Sequence, residues 1–302
     1  MLSKLSQIEQ KLFDIKYGRI KEGLKLDIPE IDEFFRYKQG EFNVLIGHAN
    51  VGKTTTIIYL FVLWAIKHKL RFLIWSSENT SDSIVRKIIE FKIGKPITTA
   101  HDDEIKSSLD WCDKYFKIID YQELITYKDL LKQAYEIKEV WDYDCLLVDP
   151  YNSLSKNMDL IKHIGGHEFD YIASSEFRLF CKSKNVTMFL NAHGVTEALR
   201  RVHPKGEEFE GLPQPLQMAS VEGGGKWANR SDSVISCHRY TAHGAKWMYT
   251  YISILKVKNQ ETGGRPTPSN SPLVLKMKPN NVGYTFLGKD LINYKKEKKI
   301  EF

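Results

Sequence analysis

The chain has 302 residues, 42% of them hydrophobic and 27% charged, a balance that fits a soluble globular protein and excludes a disordered or fibrous one. Its net charge of +6 suits a partner that carries phosphates without demanding one. No signal peptide is visible at Met1–Gln10, and the longest apolar run, residues 57–66, is too short to span a bilayer. The four cysteines, Cys112, Cys145, Cys181 and Cys237, are scattered without close pairs, so reduced core residues in a cytoplasmic protein are expected, with no disulfide frame, zinc site or membrane partner.

At the start, Leu2, Leu5, Ile8, Leu12 and Ile15 recur at three- and four-residue steps, with Lys4, Gln7 and Lys11 between them. That spacing predicts a helix with one apolar face. The face must be covered, either by its own domain or by a neighbouring subunit. Leu24, Ile28, Ile31, Phe34 and Gly40 then lead into an apolar run, Phe42 to Ile46, that reads as a buried strand.

The strand empties into Gly47-His48-Ala49-Asn50-Val51-Gly52-Lys53-Thr54, whose order of Gly, four residues, Gly, Lys and Thr is that of a phosphate-binding loop. Glycines permit the backbone angles that turn successive N–H groups around an anion, and the next helix aims its positive end at the same point. Gly47, Asn50, Val51, Gly52, Lys53, Thr54 and Thr55 are the expected nucleotide contacts. Lys53 reaches the outer phosphates, and the Thr54 hydroxyl is a Mg²⁺ ligand. The apolar Ile57, Ile58, Leu60, Phe61 and Leu63 supply the helix that this reading requires.

Further along, Arg71–Trp75 reads as a strand ending in Ser76-Ser77-Glu78-Asn79, and Ser81 or Asp82 is the expected cap of a helix through Ile89. Helices are predicted near His101–Trp111 and Tyr127–Glu139, with a strand at Phe116–Ile119 between them. Tyr143–Val148 is a strand closed by Asp149-Pro150, Glu168–Ser183 a helix, and Val186–Leu190 a strand closed by Asn191-Ala192-His193. Arg200–Lys226, rich in Gly and Pro with little periodic apolar content, is expected to be a long loop, functional or disordered. Strands return at Ser233–Cys237, Tyr249–Val257, Leu273–Met277 and Tyr284–Leu287, and the Lys-rich end, Tyr294–Lys299, fits a solvated tail. The fold class is therefore α/β, a mostly parallel twisted sheet with helices on both faces and a β-rich C-terminal part.

Hydrolysis needs a carboxylate near the metal and a group that orients water. Asp149 ends a continuously apolar strand, at the edge of the sheet where ligands collect, and is the second metal ligand. Glu78, just past its own strand, is placed to hold the attacking water. His193 stands where a γ-phosphate sensor could, although a lone His is more often structural.

Taken together, the phosphate loop, the Ser-Glu strand end, Asp149-Pro150-Tyr151-Asn152, Asn191-Ala192-His193 and Lys256-Val257-Lys258-Asn259 resemble the RecA-type motor domain of hexameric replicative DNA helicases, the DnaB and Twinkle-like enzymes and their phage relatives. The match runs in order from about Gly18 to Leu287. The resemblance implies a P-loop ATPase acting with ATP and Mg²⁺, in which Glu78 is the catalytic base, Asp149 the metal-site acid and His193 the sensor. It also implies a linker helix over residues 1–17 that packs on the next subunit, followed by a motor domain over residues 18–302. The implied partners are single-stranded DNA, further copies of the chain in a ring, expected to be a hexamer, and a separate primase or loader. A RecA-like recombinase, an ATP-dependent loader and a nucleotide-gated DNA-binding protein with little turnover share the same core and stay open.

Two departures stand out. The family's Lys-any-Arg pair, which reaches the neighbour's γ-phosphate, is here Lys256-Val257-Lys258, and Lys lacks the planar fork of Arg. Arg265 is an alternative trans finger. No primase-like or helicase N-terminal domain is expected before the linker helix. For DNA, cations along the inner loops are the expected contacts: Lys156 and Lys162 in 152–167, and Arg200, Arg201 and Lys205 in 200–226. The acids Glu207, Glu208 and Glu210 work against DNA contact in part of the second loop.

Overall fold

The computed structural model describes residues 5–19, 21–120, 123–222 and 224–293. Leu2, Lys4, Gly223 and the Lys-rich tail lie outside the described residues, as do the side chains of Gln7 and Lys11. In chain order the elements are α1 (Leu5–Lys16), α2 (Pro29–Asp32), β1 (Phe42–Gly47), α3 (Lys53–His68), β2 (Phe72–Ser76), α4 (Ser81–Ile93), α5 (Asp102–Tyr115), β3 (Phe116–Ile119), α6 (Tyr127–Val140) and β4 (Cys145–Asp149). They continue as α7 (Met158–Ile164), α8 (Gly166–Lys184), β5 (Thr187–His193), α9 (Gly225–Arg230), β6 (Ser233–His238), β7 (Tyr249–Val257), α10 (Gln260–Gly263), β8 (Leu273–Met277), β9 (Tyr284–Phe286) and β10 (Lys289–Asp290).

All ten strands join one sheet in the order β10-β9-β8-β7-β6-β1-β5-β4-β2-β3. From β6 to β3 the pairings are parallel, while β7 to β10 are antiparallel. The expected mostly parallel sheet with a β-rich end is thus present. Strand side chains alternate between faces, and both faces of the parallel part are covered. Phe42, Val44 and Ile46 of β1 join Trp75, Val148 and Leu190 in a core with α6, α8 and α9. Leu45 points the other way, with Phe72, Leu147 and Phe189, into a core with α3, α4 and α5. Burial on both faces explains why these strands are apolar runs without alternation.

β7 differs, because its residues alternate buried and half-buried. Its covered face joins the α3 core through Ile252 and Ile254, and residues 203–217 lie over part of the other, where Phe209 stacks on Tyr240 with ring centroids 3.7 Å apart.

The expected cap of α4 is corrected, and other expectations gain detail. The first helix starts, among the described residues, at Leu5 and runs to Lys16. Its apolar face is uncovered in the single chain: Leu5, Ile8, Leu12 and Ile15 are 81%, 40%, 60% and 54% exposed. Thr80, and neither Ser81 nor Asp82, occupies the N-cap position of α4, because Ser81 already has helical geometry and the Thr80 hydroxyl bonds the Asp82 carboxylate instead. The 200–226 segment is folded, with Val202 bridged to Pro213, His203 to Glu210, and Gly194 to Val221 before α9 begins. Glu207 bonds His203, Glu208 pairs with Lys246 and Glu210 accepts from the Gly206 N–H. Glu207 and Glu210 close the loop on itself and Glu208 ties it to the turn before β7, which leaves Arg200, Arg201 and Lys205 exposed. All four cysteines are buried and free.

Candidate nucleotide site

The parallel strands β1, β2, β4 and β5 deliver Gly47, Ser76, Asp149 and His193 to the same end of the sheet, Gly47 in register with His193 and Ser76 with Asp149. The loop after β1 is shaped for an anion. Asn50 and Gly52 take φ of 60° and 87°, the left-handed region that Gly and Asn tolerate best. A Cβ on Gly47 would lie 2.4 Å from the Cys237 carbonyl, so no other residue fits there. Lys53 is buried at the start of α3 and donates to the carbonyls of Gly47 and His48 at 3.0 and 2.9 Å. Burial lowers its pKa, with nearby Asp149 and Glu78 acting in the opposite sense.

Asp149 is 1% exposed, and burial raises its pKa. Three side chains offset that cost by donating to the carboxylate: Thr54 at 3.0 and 2.8 Å, Ser76 at 3.1 Å, and Asn191. Thr54 and Asp149 therefore put hydroxyl and carboxylate oxygens side by side at the lysine end of the loop. That hard-oxygen pair fits Mg²⁺, which usually takes one or two protein ligands and completes its shell with phosphate and water. No cluster of three or more His, Cys, Asp or Glu exists among the described residues to hold a different metal.

Glu78 and His193 face each other, with His193 Nε2 3.2 Å from Glu78 Oε1. Both line a cavity of 520 Å³ above the loop, together with Asn50, Lys53, Thr54 and Lys87. Arg239, just past β6, also lines it. Lys87 comes from α4 and reaches Thr55 Oγ1 at 3.3 Å, its pKa lowered by burial. Three cations thus meet Glu78 around one cavity, with Asp149 buried behind Thr54, a balance suited to a polyanion.

The sequence missed Ser76 and Asn191 as supports of Asp149, although both stand in the strand ends that drew attention. Lys87 and Arg239 carried no signal of their own: one is a cation on an amphipathic helix, the other follows a strand without a motif.

Other predicted site residues lie elsewhere. Lys258 stands past the far end of β7, at the opposite edge of the sheet from the loop, 3.8 Å from Asp232. Buried Asp232 also takes Arg178 at 3.0 Å and Lys182 at 3.7 Å. Arg265 is paired with Glu33 and lies over the Phe34 ring. Lys156 is paired with the largely buried Asp170 at 3.2 Å, whereas Lys162 is exposed beside Asp159.

Sequence comparison finds no matching family profile and no match among curated proteins. Structure comparison does. The ATPase domain of G40P superposes with a TM-score of 0.73 at 9% identity, covering 95% of this chain and 100% of that one. The chain has the fold of a replicative-helicase ATPase domain. A DnaB-like replicative helicase matches with a TM-score of 0.70 at 12% identity over 94% of this chain and 67% of that one. A KaiC-like protein from Pyrococcus horikoshii matches more loosely, with a TM-score of 0.54 at 14% identity over 88% and 98%. All are RecA-like P-loop ATPase folds, and at these identities the likeness is one of fold. Among the described residues no helix is long and apolar enough to cross a membrane.

Proposed function

We propose that the chain is an ATP-hydrolysing ring motor of the cytoplasm that binds single-stranded DNA and translocates along it to unwind duplex in replication. The observation that carries this reading is the convergence of Thr54, with Asp149 buried behind it, and of Glu78–His193 on one cavity above a phosphate loop, in a fold shared with replicative-helicase ATPase domains. The loop N–H groups, Lys53, Lys87 and Arg239 bind the phosphates. Thr54 and Asp149 hold Mg²⁺, which neutralises phosphate charge when bound. Glu78 takes a proton from the attacking water, and His193 reports the γ-phosphate by keeping or releasing Glu78.

Residues 1–17 are the linker and 18–302 the motor domain. The uncovered face of α1 packs on the next subunit, which suits a ring of six. Lys258 is the better trans finger, because the cluster of Arg178, Lys182 and Lys258 around the single Asp232 carries surplus positive charge, while Arg265 is neutralised by Glu33. Arg200, Arg201, Lys205 and Lys162 face the DNA, with Lys156 available if it leaves Asp170, and a separate primase or loader acts alongside.

The Glu78–His193 bond favours a second reading, a nucleotide-gated DNA-binding protein in which the base stays held and turnover is slight. ATP turnover measured with and without single-stranded DNA separates the two. A severalfold rise over the unstimulated rate supports the motor, and a rate no higher than that of Glu78→Gln under both conditions rejects it.

A further inference from the structure

The sensor strand is held at its end by two separate surface segments. The His193 N–H donates to Asn152 Oδ1 at 3.2 Å, and the His193 carbonyl accepts from the Glu222 N–H at 3.0 Å. Asn152 belongs to the segment that follows β4 and leads into α7, while Glu222 closes the excursion that follows β5. The two residues are joined directly, Asn152 Nδ2 donating to the Glu222 carboxylate. One residue further on, Gly194 bridges Val221 and the Val195 N–H donates to the Ser220 carbonyl. Tyr151 against Trp227 and Lys226 to the His167 carbonyl also join the chain after β4 to the chain around α9, without passing through His193.

We infer that Asn152 is a positioning residue that yokes the 155–167 segment to His193 and to Glu222 at the end of the 196–222 segment, both segments carrying candidate DNA cations, so that a change at the Glu78–His193 contact moves the two segments together. This rests on the proposed role of His193 as sensor, and it adds the joint through which a sensed change leaves the site. An amide suits the joint because one side chain must accept from a main-chain N–H and donate to a carboxylate at once, which Asn does and Asp does not. The donation to Glu222 is charge-assisted, the stronger class of hydrogen bond. The motion is transmitted by a contiguous set of bonds with a defined break point, which makes the coupling testable.

The polarity of the joint supplies the test. Asn152→Asp keeps the acceptor for His193 but sets a carboxylate against Glu222. Adding Glu222→Gln returns a donor, now from the other side. Hydrogen exchange is measured on the full chain with Mg²⁺, with and without a non-hydrolysed ATP analogue. In the unaltered protein the analogue protects residues 48–56 and alters exchange in both 155–167 and 196–222. In Asn152→Asp the first response persists and the response of 155–167 falls by at least half, while 196–222, still bonded to His193 through the Glu222 N–H, keeps its own; in the double variant the 155–167 response returns.

Two results overturn the inference: segments that ignore the analogue in the unaltered protein, or a single variant whose 155–167 segment responds normally. Loss of response without rescue, in a double variant of unaltered thermal midpoint, also overturns it. A parallel assay of ATP turnover with a single-stranded oligonucleotide keeps the two claims apart, since absence of stimulation there counts against the motor while leaving the exchange result standing.

Discussion

Asp149 carries the largest tension in the site. Its carboxylate is buried among Thr54, Ser76 and Asn191, and burial raises its pKa above the ordinary 3.8. A folded state that favours the protonated form loses stability as pH climbs above the unfolded value and through the folded one. Asp149→Asn therefore raises the thermal midpoint of the nucleotide-free protein at neutral pH, by an advantage that shrinks towards pH 4, and it abolishes ATP turnover. Thermal melts across that range check the first part; an advantage that grew with acid would contradict it. Glu78 has the complementary signature. Glu78→Gln removes the proton acceptor but leaves the phosphate loop intact, so turnover falls by about 10²–10⁴-fold while nucleotide affinity holds. Asp149 and Glu78 were legible because a charge that ends an apolar strand has few other reasons to be there. Lys87 and Arg239 were not, since their role depends on where α4 and the end of β6 lie in space.

At the scale of elements, Asp232 ties the β6 start to α8 and to the end of β7. It accepts from the Phe42 N–H at 3.1 Å and from Arg178 at 3.0 Å, and lies 3.8 Å from Lys258. Asp232→Ala leaves Arg178 half-buried without its partner, which costs about 3 kcal/mol in denaturant unfolding if the bond is as central as its burial implies; a cost under about 0.5 kcal/mol is that of an ordinary surface site and would contradict it. The long strands and helices were legible because each expresses several turns of its own period or a full apolar run. The short elements α2, α7, α9 and α10 express none, and β10, with two residues, is defined only by its partner β9. The 200–226 segment escaped for a related reason: its structure comes from bridges and side-chain pairs, and neither leaves a periodic trace.

At the scale of the molecule, the parallel α/β class was readable from alternating elements, but the strand order was not. β1 lies between β5 and β6, its partners by backbone pairing with residues more than a hundred positions away. The uncovered face of α1 makes a prediction about assembly. Leu5→Asp with Leu12→Asp, on a helix already exposed, lowers particle mass measured with ATP and Mg²⁺ to that of the single chain, with the thermal midpoint unchanged. A particle mass indifferent to these substitutions would remove the linker-helix contact from the account. The central claim is mechanical work on a nucleic acid, and strand displacement on a forked DNA duplex with ATP and Mg²⁺ tests it most directly. The account predicts strand separation by the unaltered chain and none by Glu78→Gln; ATP turnover stimulated by single strands with no separation at any protein concentration would contradict it.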